Sequence, residues 1–168
     1  YKDEPVPSHK PVSLPLPIEG AIARRAPVRH YDYGTLSELH RPEWAGFFET
    51  VDETLRHLYC INNPREGGRG EWHRHLQTDD HYMLIKGILE LVLWDARENC
   101  PTHGVQIAVR LEPESRTHYS MLRIPAGVWH TLTWKTTDGG VLLNSKNPPF
   151  DSKSPDKWRL SLEHFPPN

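Results

Sequence analysis

The sequence predicts an all-β domain, a sandwich or closed barrel, and three observations predict it. Short runs rich in apolar and β-branched residues recur with turn residues between them, helical periodicity is almost absent, and two histidine-bearing fragments lie on separate runs of this kind. The strand candidates are Ala21 to Arg25, Thr35 to His40, His57 to Asn62, Gly70 to His75 and His81 to Lys86. They continue with Ile88 to Ala96, Val105 to Leu111, Ser120 to Ile124, Val128 to Trp134 and Val141 to Ser145. With one short helix candidate, Glu49 to Leu55, this pattern fits two packed sheets better than alternating strands and helices. Asp138-Gly139-Gly140 reads as a hairpin turn. No internal repeat is visible.

Residues 1–17 read as a proline-rich arm, because Pro5, Pro7, Pro11, Pro15 and Pro17 lack the amide donors that a central strand or helix uses. The folded domain is expected from Ile18 to Asn168, with the arm laid across a neighbouring subunit or left disordered. At 168 residues one domain with a real core is the expectation. The 20 basic and 22 acidic side chains nearly balance and form no basic block, which argues against nucleic acid or an anionic membrane as partner. No apolar run reaches the length of a membrane span, and no signal-peptide pattern opens the sequence at Tyr1. Two cysteines are too few for a disulfide framework; Cys60, in an apolar run, reads as a small core residue. A cytoplasmic setting is expected.

The chemistry concentrates in Gly67 to Gly87 and in Ile124 to His130. On a strand, side chains two residues apart share a face, so His73 and His75 point the same way, with Asp80 or His81 following on the next run. His130 recurs after Pro125 and Gly127, so three imidazoles and a carboxylate are expected to converge inside one barrel. Seven other histidines, at 9, 30, 40, 57, 103, 118 and 164, lie outside these fragments and read as ordinary polar residues. Trp134 shares the side of its strand with His130, while Trp129 faces away. Tyr82 reads as a core phenol or a proton donor, and Arg69, Arg74 and Arg123 as side chains able to hold a diphosphate. Arg74, between His73 and His75, is expected in solvent, Asp79 in a turn, and Lys146 and Lys153 carry no special expectation.

These fragments resemble the two motifs of the cupin superfamily. Gly67, His73, His75, Asp80 and Gly87 fit the first, with Asp80 where glutamate is usual, and Pro125, Gly127 and His130 fit the second. Within the superfamily, the chain is similar to the dTDP-4-dehydrorhamnose 3,5-epimerases and the nucleotide-sugar 3,4-ketoisomerases over roughly residues 18–160. The ordered segments that carry this are Gly34 to Leu39, Arg69-Gly70, Leu93 to Arg97, Pro101 to Gly104 and Ile124 to His130. The resemblance implies a jelly-roll barrel that isomerises or epimerises a nucleotide-linked 4-keto-6-deoxy sugar without a cofactor. It implies His73 as the base that takes a proton beside the ketone, with His75, His130 and Asp80 around it. Arg69, Tyr82, Trp134, Glu38 and Arg123 would bind substrate. It further implies a homodimer in which residues 10–40 border the partner's pocket, with Tyr33 or Arg25 near its mouth.

Two other readings stay open. His73, His75, Asp80 and His130 form a nitrogen and oxygen set suited to a divalent transition ion, zinc, iron, nickel or manganese. A catalytically silent sugar-binding cupin is the other, because this chain departs from the epimerases at several points. Their general-acid tyrosine belongs on the strand written here Val141 to Lys146, where none occurs. Tyr33 stands where they carry a phosphate-binding arginine. The C-terminal acidic segment that partners their histidine is represented only by Trp158 to Glu163. Complete double epimerisation is therefore not expected.

Overall fold

The computed structural model describes residues 12–26, 28–32, 34–37, 39, 57–62, 67–113, 115, 117–147 and 151–160. Among them lie thirteen strands. The first five are β1 (Val12–Pro15), β2 (Ile22–Arg25), β3 (Val28–Tyr31), β4 (Gly34–Ser37) and β5 (His57–Asn62). Then come β6 (Trp72–Arg74), β7 (Asp79–Lys86), β8 (Leu89–Asp95) and β9 (Gln106–Leu111). The last four are β10 (Met121–Ile124), β11 (Val128–Trp134), β12 (Val141–Asn147) and β13 (Trp158–Leu160). A six-stranded sheet runs β1-β2-β10-β7-β12-β5, a five-stranded sheet runs β13-β6-β11-β8-β9, and β3 pairs with β4. All named pairings are antiparallel. From β5 onward the chain changes sheet at every step except β8 to β9. That weave is the predicted jelly roll.

Alternation along the strands decides which side chains meet between the sheets. On β8, Leu89, Leu91, Leu93 and Asp95 are buried while their neighbours are half-exposed. They pack with Tyr82 and Leu84 of β7, Leu122 and Ile124 of β10, Val128, Leu132 and Trp134 of β11, and Leu142 of β12. Burial of that many large side chains, each contributing about 1.5–3 kcal/mol, drives the closure. β7 shows no alternation, because its other face is covered too: Met83 packs with Met121 against Ala26, Leu39 and Leu143. A strand buried on both faces hides its register from the sequence.

Several expectations change. β1, within the segment read as an arm, pairs with β2 at the sheet edge, where a proline interrupts no ladder on its free side. β3 and β13 are too short and polar to stand out in the sequence. The turn at Asp138-Gly139-Gly140 carries the chain from one sheet to the other, so it is not a hairpin of paired strands. Gly140 is required there, since a Cβ would lie 2.2 Å from the Trp134 ring. Cys60 is exposed on β5, which is an edge strand with only its inward residues covered. The Glu49 to Leu55 helix candidate and residues 1–11 of the arm lie outside the described residues.

The segments around Asp95 and Thr102 build a brace rather than a site. The buried Asp95 carboxylate accepts from Arg97 Nε at 2.8 Å, Arg97 Nη2 at 2.7 Å and Thr102 Oγ1 at 2.6 Å. Burial opposes its charge, but those donors hold the carboxyl well below the usual range. Arg97 also reaches the Glu19 carbonyl at 2.9 Å and packs where a Cβ on Gly127 would meet its Cγ at 2.7 Å. Gly127 has φ 86° and donates its N–H to the His75 carbonyl at 2.6 Å. Gly127→Ala combines left-handed backbone with this collision. Urea denaturation is expected to show a loss of about 1–3 kcal/mol, and an unchanged midpoint would show that the brace yields freely.

Candidate functional site

β6 and β11 are neighbours, and their single paired register sets His73 opposite His130. Both side chains therefore leave the same face of the five-stranded sheet, with ring centroids 4.2 Å apart. His75 lies one residue past β6, yet its ring stays 5.6 Å from that of His73 and 6.3 Å from that of His130. β7 supplies Asp80 and Tyr82 from the facing sheet, Tyr82 meeting the His130 ring edge-on at 6.0 Å. The open choice between Asp80 and His81 resolves by parity. Asp80 faces inward, and His81 faces out, with Nδ1 3.3 Å from the Ser145 carbonyl.

The Asp80 carboxylate, 1% exposed, is the hub. His130 Nε2 stands 3.3 Å and His75 Nε2 3.5 Å from Oδ2, while Lys146 Nζ is 3.0 Å from Oδ1. Asn144 Nδ2 donates to the same Oδ1 at 2.6 Å and to the Tyr59 hydroxyl at 2.7 Å. Its amide orientation is fixed, because Asn144 Oδ1 accepts the His81 N–H at 3.0 Å. Burial would raise the Asp80 carboxyl, but His130, then Lys146 and His75, hold it well below the ordinary value. In His130, Nδ1 faces the Val128 carbonyl at 3.1 Å and Nε2 stands beside the carboxylate. In His73, Nδ1 faces the Glu71 carbonyl at 2.9 Å, which leaves the lone pair on Nε2. Burial, and then the charge on His130, push the His73 imidazole down to about 3.

A cavity of about 430 Å³ opens onto this cluster. His73, Tyr82, Leu132, Trp134, Tyr59 and Ile61 line its body, and Arg69, Glu71 and Lys157 are also on its wall. Of the residues expected at the site, His73, Tyr82, Trp134 and Arg69 border the cavity, and His75, His130 and Asp80 form the polar layer beside it. Arg123 does not belong: as an odd residue of β10 it leaves the outer face and pairs with Asp79, Nη2 to Oδ2 at 2.7 Å. Asp79 is accordingly the first residue of β7 and not a turn residue. Arg74 is half-buried over the Trp129 ring at 4.7 Å instead of lying free in solvent. Glu38 and Tyr33 lie outside the described residues.

Sequence reasoning missed Tyr59, Asn144 and Lys146. The strand candidate ended at Ser145; one more inward position on the same period of two would have reached Lys146. Tyr59 stands in a run that is apolar on both parities, so only its pairing with Asn144 reveals its direction. The C-terminal segment does reach the site, through Asp156: its carbonyl accepts from His75 Nδ1, and its carboxylate accepts the Leu76 and Gln77 N–H groups at 2.8 and 2.9 Å.

The proposed four-ligand metal set fits poorly. Ligand atoms of His73, Asp80 and His130 lie within 4.8 Å of one another, close to the roughly 3.4 Å separations around a tetrahedral zinc ion. Yet the Lys146 ammonium occupies the space between His75 and Asp80. A divalent ion would face a cation where it needs a lone pair.

The perturbed groups set a pH dependence. Burial, as the first cause, lowers His73, His75 and His81 below 6.5, so on acidification the unfolded chain takes up protons that the folded chain refuses. The Asp80 carboxylate acts in the same direction at lower pH, its contribution being lost as pH falls through its depressed value. Stability is expected to fall steadily from about pH 7 toward pH 3, with a shallower slope for His73→Asn. Urea midpoints that stay level between pH 7 and pH 4.5 would contradict this burial.

No family model matches the sequence. A curated relative, the probable low-salt glycan biosynthesis epimerase Agl13 of Haloferax volcanii, is 27% identical over 131 residues, which cover 77% of this chain and 79% of the relative. Among solved structures, a dTDP sugar isomerase from Desulfovibrio desulfuricans G20 superposes with TM-score 0.75 at 22% identity, covering 90% of each chain. The dTDP-4-dehydrorhamnose 3,5-epimerase from Sulfolobus tokodaii gives 0.75 at 19% identity, over 94% of this chain and 85% of that one. NovW, a 4-keto-6-deoxy sugar epimerase from Streptomyces spheroides, gives 0.72 at 18% identity, over 96% and 79%. The fold is that of the dTDP-sugar epimerase and isomerase cupins.

Proposed function

We propose that this chain, a cupin with the fold of the dTDP-sugar epimerases and isomerases, interconverts nucleotide-linked 4-keto-6-deoxy sugars by proton transfer beside the ketone. The observation that carries the reading is His73: of the three clustered imidazoles it alone borders the cavity, with its Nε2 lone pair free. His73 Nε2 takes the proton from the carbon next to the carbonyl, and the electron pair moves onto the carbonyl oxygen to give an enolate. Although burial disfavours an isolated imidazolium, here the proton arrives together with the enolate charge. The neighbouring layer holds the Lys146 ammonium, whose positive charge favours the enolate.

Tyr59 supplies the second half. His73 comes from the five-stranded sheet and Tyr59 from the six-stranded sheet. Because Asn144 Nδ2 is a donor, the Tyr59 oxygen accepts, and its own hydrogen is free to point at the cavity. Burial raises the phenol, so it arrives protonated, as an acid must. Protonation of the enolate carbon by Tyr59 inverts that carbon; the phenolate is held by Asn144, and both groups then exchange protons with water at the mouth. Arg69 and Lys157, both on the cavity wall, would bind the diphosphate. The free thiols of Cys60 and Cys100 favour a cytoplasmic setting.

Turnover of dTDP-4-keto-6-deoxyglucose in deuterium oxide, followed by NMR, tests this. His73→Asn is expected to lower both exchange and product about a hundredfold to ten-thousandfold. Tyr59→Phe is expected to keep exchange at the carbon beside the ketone while losing inversion. Wild-type protein that exchanges no deuterium would defeat the reading, and Tyr59→Phe with full inversion would defeat the role of Tyr59.

We also propose a homodimer through the early strands. Leu14 on β1, Tyr31 on β3 and Leu36 on β4 are each 41–42% exposed, apolar side chains on the segment expected at the interface. Light scattering at micromolar concentration is expected to give twice the chain mass, and Leu14→Lys with Leu36→Lys to halve it. A wild-type monomer would rule the interface out.

A further inference from the structure

The metal-ligand positions of the cupin motif are all filled here, yet the charge they would gather is already present as a side chain. His75 Nδ1 faces the carbonyl oxygen of Asp156, which can only accept, so Nδ1 carries the hydrogen and the lone pair lies on Nε2. That lone pair receives an N–H of Lys146 at 2.5 Å. The same ammonium sits 3.0 Å from Asp80 Oδ1, with 11% of the Lys146 side chain and 1% of that of Asp80 exposed. Its position comes from the sheet, since Lys146 and Asp80 are register partners on β12 and β7.

We propose that Lys146 is a built-in cation standing where other cupins would hold a metal ion, and that its removal uncovers a divalent-cation site made of His73, His75, Asp80 and His130. The ammonium consumes the His75 lone pair and one carboxylate oxygen, and its charge repels any second cation a few ångströms away in a poorly solvated site. No backbone movement is needed to expose the site, because all four groups already converge from paired strands. Truncating Lys146 leaves Asp80 with one fewer positive partner, and a divalent ion restores the balance. The inference does not depend on the sugar chemistry proposed above.

The test uses full-length protein without an affinity tag, stripped with chelator and dialysed against zinc or nickel, with bound metal measured by mass spectrometry. Wild type is expected to retain far less than one equivalent, and Lys146→Ala, shown to be folded by circular dichroism, close to one. The double variant Lys146→Ala, Asp80→Ala is expected to lose it again. One equivalent on the wild type, or no gain in folded Lys146→Ala, overturns the proposal; Lys146→Ser replaces the alanine variant should that fail to fold. A further measurement needs no variant. In nitrogen-15 histidine spectra of the wild type, His75 is expected as the Nδ1–H form and unmoved by zinc, and a zinc-induced shift of His75 overturns the proposal.

Discussion

A fully buried carboxylate is the constraint around which this barrel is organised. Asp80 lies between the two sheets, and an unpaired charge there is untenable in so poorly solvated a place. Its partners come from separate elements: His130 from β11, Asn144 and Lys146 from β12, and His75 from the segment after β6. Each must arrive with the right parity and register, so the same charge that the cluster neutralises also ties β7, β11 and β12 to one relative placement. A slip of one residue in β12 would turn Lys146 and Asn144 outward and leave Asp80 without its positive and amide partners.

A second carboxylate does a comparable task at the barrel end. Asp95 gathers Arg97 and Thr102, and Arg97 in turn reaches the Glu19 carbonyl and fills the space beside Gly127. The turn before β11 is thereby held, and with it the start of the strand that carries His130. Segments that read as family markers in the sequence thus act at a distance from the cavity. Their work is to place the second histidine fragment against the first, the Gly127 N–H meeting the His75 carbonyl at 2.6 Å.

The site divides into a wet edge and a dry layer, and the division assigns roles. His73, Tyr59 and Tyr82 border the cavity, whereas His130, His75, Asp80 and Lys146 stay behind it. The layer behind sets the Lys146 ammonium against the Asp80 carboxylate, with the His75 and His130 rings beside them. The ammonium in that layer stands beside His75 and Asp80, where a metal ion would need their lone pairs.

Much of this was legible in the sequence because it rests on local periodicity. Alternation along strands set His73 with His75 and Trp134 with His130, turn residues marked most of the strands, and Pro125, Gly127 and His130 stood out as a second fragment. What the chain alone determined was therefore the strand content, the shared parity of His73 with His75 and of His130 with Trp134, and the identity of the imidazoles. The tertiary structure decided which strands lie side by side, and so which inward residues touch. It turned Arg123 out to Asp79, brought Lys146 into the space a metal would need, and set Tyr59 across from His73. Those outcomes depend on pairing register between β5, β7 and β12, strands far apart in sequence and partly apolar on both faces, and no local pattern encodes such a register.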